Sequence, residues 1–220
     1  MSQTLFITGT DTDAGKTVVS VALLRALAAA GVPACGFKPV ASGGEPHGDA
    51  LANADALAMH AASAAGASLE EINPVLFEPA IAPHLAAARV GQCIDPAVLS
   101  QAHALLARRF PVVVAEGAGG WLTPLNDTLL LGDWVAAQCW PVLLVVRLKL
   151  GCLNHALLTA EAIQRRGVTL AGWVANDPQG AGAECQGMIE TLSARLGAPL
   201  WVQRGFEPAP AEVLPRLLAC

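Results

Sequence analysis

Apolar residues in this chain come in short runs that alternate with longer, helix-like stretches. Residues 5–8 (Leu-Phe-Ile-Thr) form one run, and a stretch dense in Ala, Val and Leu follows over residues 17–30. The run has the length of a buried strand and the stretch that of a helix. The alternation repeats. Residues 35–39 read as a second strand, and 111–115, 141–146 and 168–175 are strand-like runs rich in β-branched residues, as buried parallel strands are. Helical patterns fit residues 96–109, 152–166 and 184–196, and residues 198–202 suit a last strand. This order predicts an α/β fold, with a doubly wound, mostly parallel sheet carrying helices on both faces. Residues 41–53 read as a Gly/Pro/His-containing loop suited to ligand binding, and residues 206–215 as a Pro-rich excursion.

The first strand runs into Gly9-Thr10-Asp11-Thr12-Asp13-Ala14-Gly15-Lys16-Thr17. A glycine-rich turn ending in Gly-Lys-Thr before a helix aims backbone N–H groups at an anion. In such a loop Lys16 would meet the β/γ-phosphates and the Thr17 hydroxyl a magnesium ion. Five residues separate Gly9 from Gly15, one more than the usual spacing. The alternative is a plain strand-to-helix turn.

Composition narrows the class. At 220 residues the chain fits one domain spanning 1–220, and 54% apolar against 14% charged residues suggest a large core with a buried subunit interface. A net charge of −5 argues against nucleic acid as the main partner. No apolar run is long enough for a membrane helix. The chain enters its first strand within a few residues of Met1, without a signal-peptide pattern, so the expected location is the cytoplasm. The six cysteines show no metal-binding spacing.

Ligands in such sheets sit at the carboxyl ends of the strands. Glu116, followed by Gly117-Ala118-Gly119-Gly120, ends one strand and stands where a P-loop enzyme places a magnesium-directed carboxylate. Lys38, before Pro39, ends another and would stabilise charge developing during transfer. Asp55 opens a helix, as a metal ligand or as a charge favoured by the helix dipole. Gly151, ahead of Cys152, Leu153, Asn154 and His155, starts a helix with free N–H groups suited to a carboxylate or phosphate. Asn176-Asp177 reads either as an adenine contact or as an Asx turn. The bland alternatives are a solvated glutamate, a surface lysine and a plain helix start.

Together the loop at 9–17, Lys38-Pro39-Val40-Ala41-Ser42-Gly43, Glu116-Gly117-Ala118-Gly119-Gly120-Trp121, Lys149-Leu150-Gly151-Cys152-Leu153-Asn154-His155 and Gly172-Trp173-Val174-Ala175-Asn176 resemble the dethiobiotin synthetase family. The resemblance runs in order from Met1 to about residue 200 and includes the long loop spacing. It implies a P-loop ligase that converts 7,8-diaminononanoate, CO2 (or bicarbonate) and ATP to dethiobiotin, ADP and phosphate with Mg2+. It also implies a homodimer with active sites at the subunit interface. Carried over residue by residue, Lys16, Lys38 and Thr12 would act in catalysis. Asp13, Ala14, Gly15, Lys16, Thr17, Val18, Glu116, Gly117, Gly119 and Asn176 would bind nucleotide. Thr17, Asp55 and Glu116 would hold the metal. Ser42, Gly151, Cys152, Leu153 and Asn154 would bind substrate, the last four from the partner subunit. Asp13 stands where glutamate is common, and residues 200–205 lack the family's Gly-x-Ile-Pro stretch. Two rivals stay open: another P-loop ligase that phosphorylates a carboxylate, and a nucleotide switch like ParA or MinD. Such switches commonly carry an extra lysine early in the loop, and residues 10–14 have none.

Overall fold

In the computed structural model, which describes residues 2–177 and 182–203, strand β1 (Gln3–Gly9) lies in the middle of the main sheet. It pairs in parallel with β7 (Val112–Glu116) on one side and β8 (Val142–Arg147) on the other. Strand β2 (Ala34–Phe37) lies beyond β7, while β9 (Leu170–Asn176) and β10 (Leu200–Gln203) lie beyond β8. All pairings within this six-stranded sheet are parallel. The Pro-rich stretch at 206–215 falls outside the described residues.

Central strands of a parallel sheet are covered on both faces, which is why β1, β7 and β8 read as unbroken apolar runs. Alternate residues divide between two cores. Leu5 and Ile7 of β1, with Val112, Val114, Leu143 and Val145, pack under helix α1 (Lys16–Ala29) and Met59 of α2 (Ala54–Ala62). Phe6, Val113 and Ala115 face the opposite way, under α5 (Pro96–Ala107) and α6 (Leu131–Ala137). On that same side Leu144, Val146, Trp173 and Ala175 pack against α7 (Cys152–Gln164) and α8 (Gly182–Arg195).

The segment between β2 and β7 departs from the expected plain loop. Residues 41–53 contain the end of a short strand, β3 (Val40–Ser42), and an exposed antiparallel hairpin, β4 (Glu45–His47) with β5 (Ala50–Ala52). Strand β3 pairs in parallel with β6 (Val75–Phe77), outside the main sheet. Helices α3 (Leu69–Ile72) and α4 (Pro83–Arg89) flank β6. The Gly-rich turn after β7 is anchored by Trp121. Its buried indole lies against Gly132 of α6, so closely that a Cβ there would stand 2.6 Å from Trp121 Cε2.

Candidate active site

The loop between β1 and α1 closes on itself because Gly9 lacks a side chain; a Cβ there would lie 2.9 Å from that of Ala14. Gly15 takes the left-handed φ of +95°, which turns the chain into α1. A Cβ at Gly15 would collide with the Asn176 amide, whose Nδ2 donates to Ala14 O at 2.7 Å. The end of β9 thus holds the loop from below. From the side, Lys149 Nζ bonds Asp11 Oδ2 at 3.0 Å and keeps the Asp11 carboxyl below its ordinary range. Thr12 and Asp13 are exposed on the loop, and Val18 faces outward from α1.

A charged cluster sits beside the loop. The Lys38 ammonium is buried and bonds Glu116 Oε1 at 2.6 Å and Asp55 Oδ2 at 2.9 Å. Glu116 is fully buried, whereas the Asp55 side chain is 43% exposed. The Thr17 hydroxyl donates to Glu116 Oε1 at 2.9 Å. Burial alone would lower the Lys38 ammonium, but the Glu116 and Asp55 carboxylates outweigh it and hold Lys38 above its ordinary value. Burial would raise the Asp55 carboxyl, and Lys38 reverses that. Lys16 goes the other way. Burial, reinforced by the charge of Lys38, lowers it, and its Nζ donates to the neutral Asp11 O at 3.1 Å.

The structure therefore brings together Lys16, Thr17, Lys38, Asp55 and Glu116, which the sequence separates by up to a hundred residues. Sequence reasoning missed two of their neighbours. Asn73 is buried at the end of α3, and its Nδ2 donates to Lys38 O at 2.7 Å while Lys38 N donates to Ile72 O at 2.8 Å. Ser20 is buried one turn after Thr17 and bonds Glu116 Oε2 at 2.7 Å. A polar residue three places past Lys-Thr, within the apolar run at 18–24, was the available clue to Ser20; Asn73 offered none.

A cleft of about 870 Å³ opens from Thr10, Asp11 and Thr12 past Ser42, between Pro83 and the turn at 118–124, and reaches Leu158 on α7. Gly119 lines it, and the Gly117 carbonyl lies 3.4 Å from Lys38 Nζ. Gly151, Cys152, Leu153 and Asn154 do not line it. Cys152 points inward, its thiol 3.6 Å from the Met188 sulfur, and its N–H donates to Lys149 O. Any ligand contact at this helix start therefore falls to Gly151, Leu153 and Asn154.

Among the described residues, no group of three or more His, Cys, Asp or Glu forms a metal cage. Thr17, Asp55 and Glu116 offer hard oxygens: the two carboxylates already converge on one cation, the Lys38 ammonium, and the Thr17 hydroxyl bonds Glu116 Oε1. That set fits Mg2+, which takes one or two carboxylates and draws its other ligands from water and phosphate.

A phosphate loop at the carboxyl end of a central parallel strand, with lysines and carboxylates around it, defines a P-loop nucleotide-binding protein. Residues 3–201 match the family model described as an AAA domain. Solved structures of a ParA family ATPase from Chlorobium tepidum TLS and of the septum site-determining protein MinD from Pyrococcus horikoshii OT3, the latter complexed with Mg-ADP, share the fold. Each has a TM-score of 0.56 and covers all of this chain, with 90% and 86% of their own chains matched at 12% and 14% identity. Sequence relatives are much closer. The ATP-dependent dethiobiotin synthetase BioD 1 of Escherichia coli O157:H7 is 48% identical over 200 residues, 91% of this chain and 89% of its own. The ATP-dependent dethiobiotin synthetase BioD of Serratia marcescens is 48% identical over 204 residues, 92% and 90% of the two chains. The chain belongs to the dethiobiotin synthetase family.

Proposed function

We propose that this chain is an ATP-dependent cyclo-ligase that makes dethiobiotin from 7,8-diaminononanoate, CO2 and ATP, and that residues 1–220 act as one P-loop ligase domain in the cytoplasm. The observation that carries the site assignment is the buried Lys38–Glu116–Asp55 cluster beside the loop, tied to it by the Thr17–Glu116 hydrogen bond. An amine of the substrate adds to CO2, loses a proton and becomes a carbamate. A carbamate oxygen attacks the γ-phosphorus and ADP leaves, giving a carbamic–phosphoric anhydride. The second amine attacks the anhydride carbon, phosphate leaves with the electron pair, and the cyclic urea closes with loss of a proton.

This chemistry asks the protein for position and charge rather than for a nucleophile. Lys16 turns from Asp11 O to the β/γ-phosphates. Lys38, held charged by its two carboxylates, stabilises the oxygens shared between carbamate and transferring phosphoryl group. Thr12 and Ser42 line the cleft and contact the reacting groups. Thr17, Asp55 and Glu116 would hold Mg2+, which when bound neutralises phosphate charge. The loop residues Asp13, Ala14, Gly15 and Val18, with Gly117 and Gly119, surround the nucleotide. Asn176 commits Nδ2 to Ala14 O, leaving Oδ1 as an acceptor for the adenine amino group.

The chain works as a homodimer. Leu150 is 95% exposed, and Leu122 and Leu158 are exposed beside the cleft. A second copy that covers these residues would carry its own Gly151, Leu153 and Asn154 to the substrate carboxylate. Among the described residues, no helix is long and apolar enough to cross a membrane.

The test mixes protein, Mg-ATP, bicarbonate and 7,8-diaminononanoate and follows phosphate together with dethiobiotin by mass spectrometry. Product in step with phosphate, and neither without the diamine, is expected. Steady phosphate release without diamine would favour the switch reading and overturn this one.

A further inference from the structure

The three side chains that the first turns of α1 turn toward the charged cluster are Lys16, Thr17 and Ser20, spaced three and four residues apart on one face. The first two belong to the phosphate loop. Ser20 has no part in the reading above, yet it is fully buried in a stretch that is otherwise Val, Ala and Leu. A serine in mid-helix bonds the carbonyl one turn back or points outward. Ser20 Oγ lies 3.0 Å from Lys16 O, the expected back-bond, and closer still, at 2.7 Å, to Glu116 Oε2. A hydroxyl has one hydrogen to give. The ionised carboxylate is the stronger acceptor, so the hydrogen goes to Glu116.

The two oxygens of Glu116 are thereby divided. Oε1 takes Lys38 and Thr17, the groups nearest the phosphate loop, while Oε2 is drawn back onto Ser20. Glu116 is 0% exposed, so water does not replace a missing partner without structural change. With the Ser20 hydroxyl removed, Oε2 would be buried beside a helix with no donor. The carboxylate would then turn about its last torsion toward Lys38, taking Oε1 off Thr17.

We infer that Ser20 is a positioning residue for the divalent cation: by holding Glu116 Oε2 it keeps Oε1 beside Thr17, where both oxygens serve one ion. The inference rests on the Mg2+ site proposed above. Partners that orient a metal ligand are commonly worth about 10- to 100-fold in metal affinity.

Mn2+ is the probe. Its affinity for the protein–ADP complex is measured by electron paramagnetic resonance, and ADP affinity is measured separately in EDTA by calorimetry. Ser20→Ala is expected to weaken Mn2+ by about tenfold or more while metal-free ADP binding stays as in the unsubstituted protein. Ser20→Cys, which keeps the volume and a weak donor, is expected to fall between the two, and it carries the test if the alanine variant does not fold. Unchanged Mn2+ affinity in the variants overturns the inference, as does an equal loss of Mn2+ and metal-free ADP binding, which would make Ser20 only a packing residue of the loop helix. Failure of the unsubstituted ADP complex to bind Mn2+ overturns the metal site itself, and is told apart by the parent protein alone.

Discussion

Lys38→Met removes a buried positive charge and leaves the side-chain volume nearly unchanged. The fully buried Glu116 then loses its cation, and Asp55 loses the partner that Lys38 Nζ provides at 2.9 Å. Breaking a buried pair from one side costs about 3–5 kcal/mol, because the surviving charge stays desolvated. Asp55 is 43% exposed on its side chain, so water relieves its share and the lower end of that range applies, about 3 kcal/mol. For a chain of 220 residues that is a fall in Tm of about 6–12 °C. Turnover should fall by about a hundredfold or more, as when a group stabilising transition-state charge is lost. Scanning calorimetry without ligand, repeated with Mg2+, separates the two roles. The divalent ion should restore part of the lost stability, since it would supply positive charge between Glu116 and Asp55, and should leave turnover low. A variant as stable as its parent, or one that turns over normally, would refute the charge argument. Stability lost but not regained with Mg2+ would show that the carboxylates do not share an ion.

Asn176→Asp should weaken ADP by about tenfold, because a carboxylate would face Ala14 O where the amide now donates; calorimetry giving an unchanged Kd would contradict that. Gly132→Ala drives a methyl into Trp121 and should cost about 1–3 kcal/mol while raising KM for the diamine, since the turn at 118–124 lines the cleft. Thermal unfolding and indole fluorescence like the parent's would count against it. The third concerns His103, lowered by burial from 6.5 to about 4, with its Nε2 2.8 Å from Thr4 Oγ1. The unfolded chain takes up this proton first, so stability should be full above about 6.5 and decline as pH falls toward about 4. The decline is at most about 3 kcal/mol, and about 1–2 allowing for the ring's partial exposure. It should flatten in His103→Gln, and a denaturation series in which both proteins lose stability equally would remove His103 from the account.

The strands of the main sheet were legible as short unbroken apolar runs, and its long helices as the longer Ala- and Leu-rich stretches between them. Predicted and observed bounds differ by a residue or two at most ends, as at β7, expected over 111–115 and found at Val112–Glu116. The segment between β2 and α5 was not legible in the same way. Strands of three residues, as in β3, β6 and the hairpin, show no period and are defined only by what they pair with. Helix α3 has four residues and α4 and α6 seven each, too few turns for a stripe to declare itself. The site divides similarly. Lys38 and Glu116 announced themselves as charges at the ends of apolar runs, and Asp55 as a charge opening a helix. Asn73 and Ser20 are neutral, and their importance lies in which atoms they meet across the fold. The helix start at Cys152 was read correctly as an element, but its first side chain turned to the core, which the Gly-Cys-Leu-Asn order does not reveal.

The two lysines show how the site waits for a polyphosphate. Lys38 is saturated with negative charge and lies above its ordinary value, so it needs no ligand to stay protonated. Lys16 is buried, lies below its ordinary value and donates its hydrogen bond to a neutral backbone carbonyl. It is the less satisfied of the two charges, and the one with most to gain from an anion at the loop. On the proposed assignment, binding a nucleotide would relieve Lys16 first and draw the phosphates toward Lys38. Lys38 can then shift charge onto the transferring group only as its carboxylates find another cation. On the proposed assignment, nucleotide and divalent ion would be coupled through Lys38, each removing a cost that the other would face alone. Affinity for ADP and for the metal should therefore be mutually enhancing, by equal factors, as linkage requires. Lys38→Met should diminish that mutual factor more than it diminishes metal-free ADP binding.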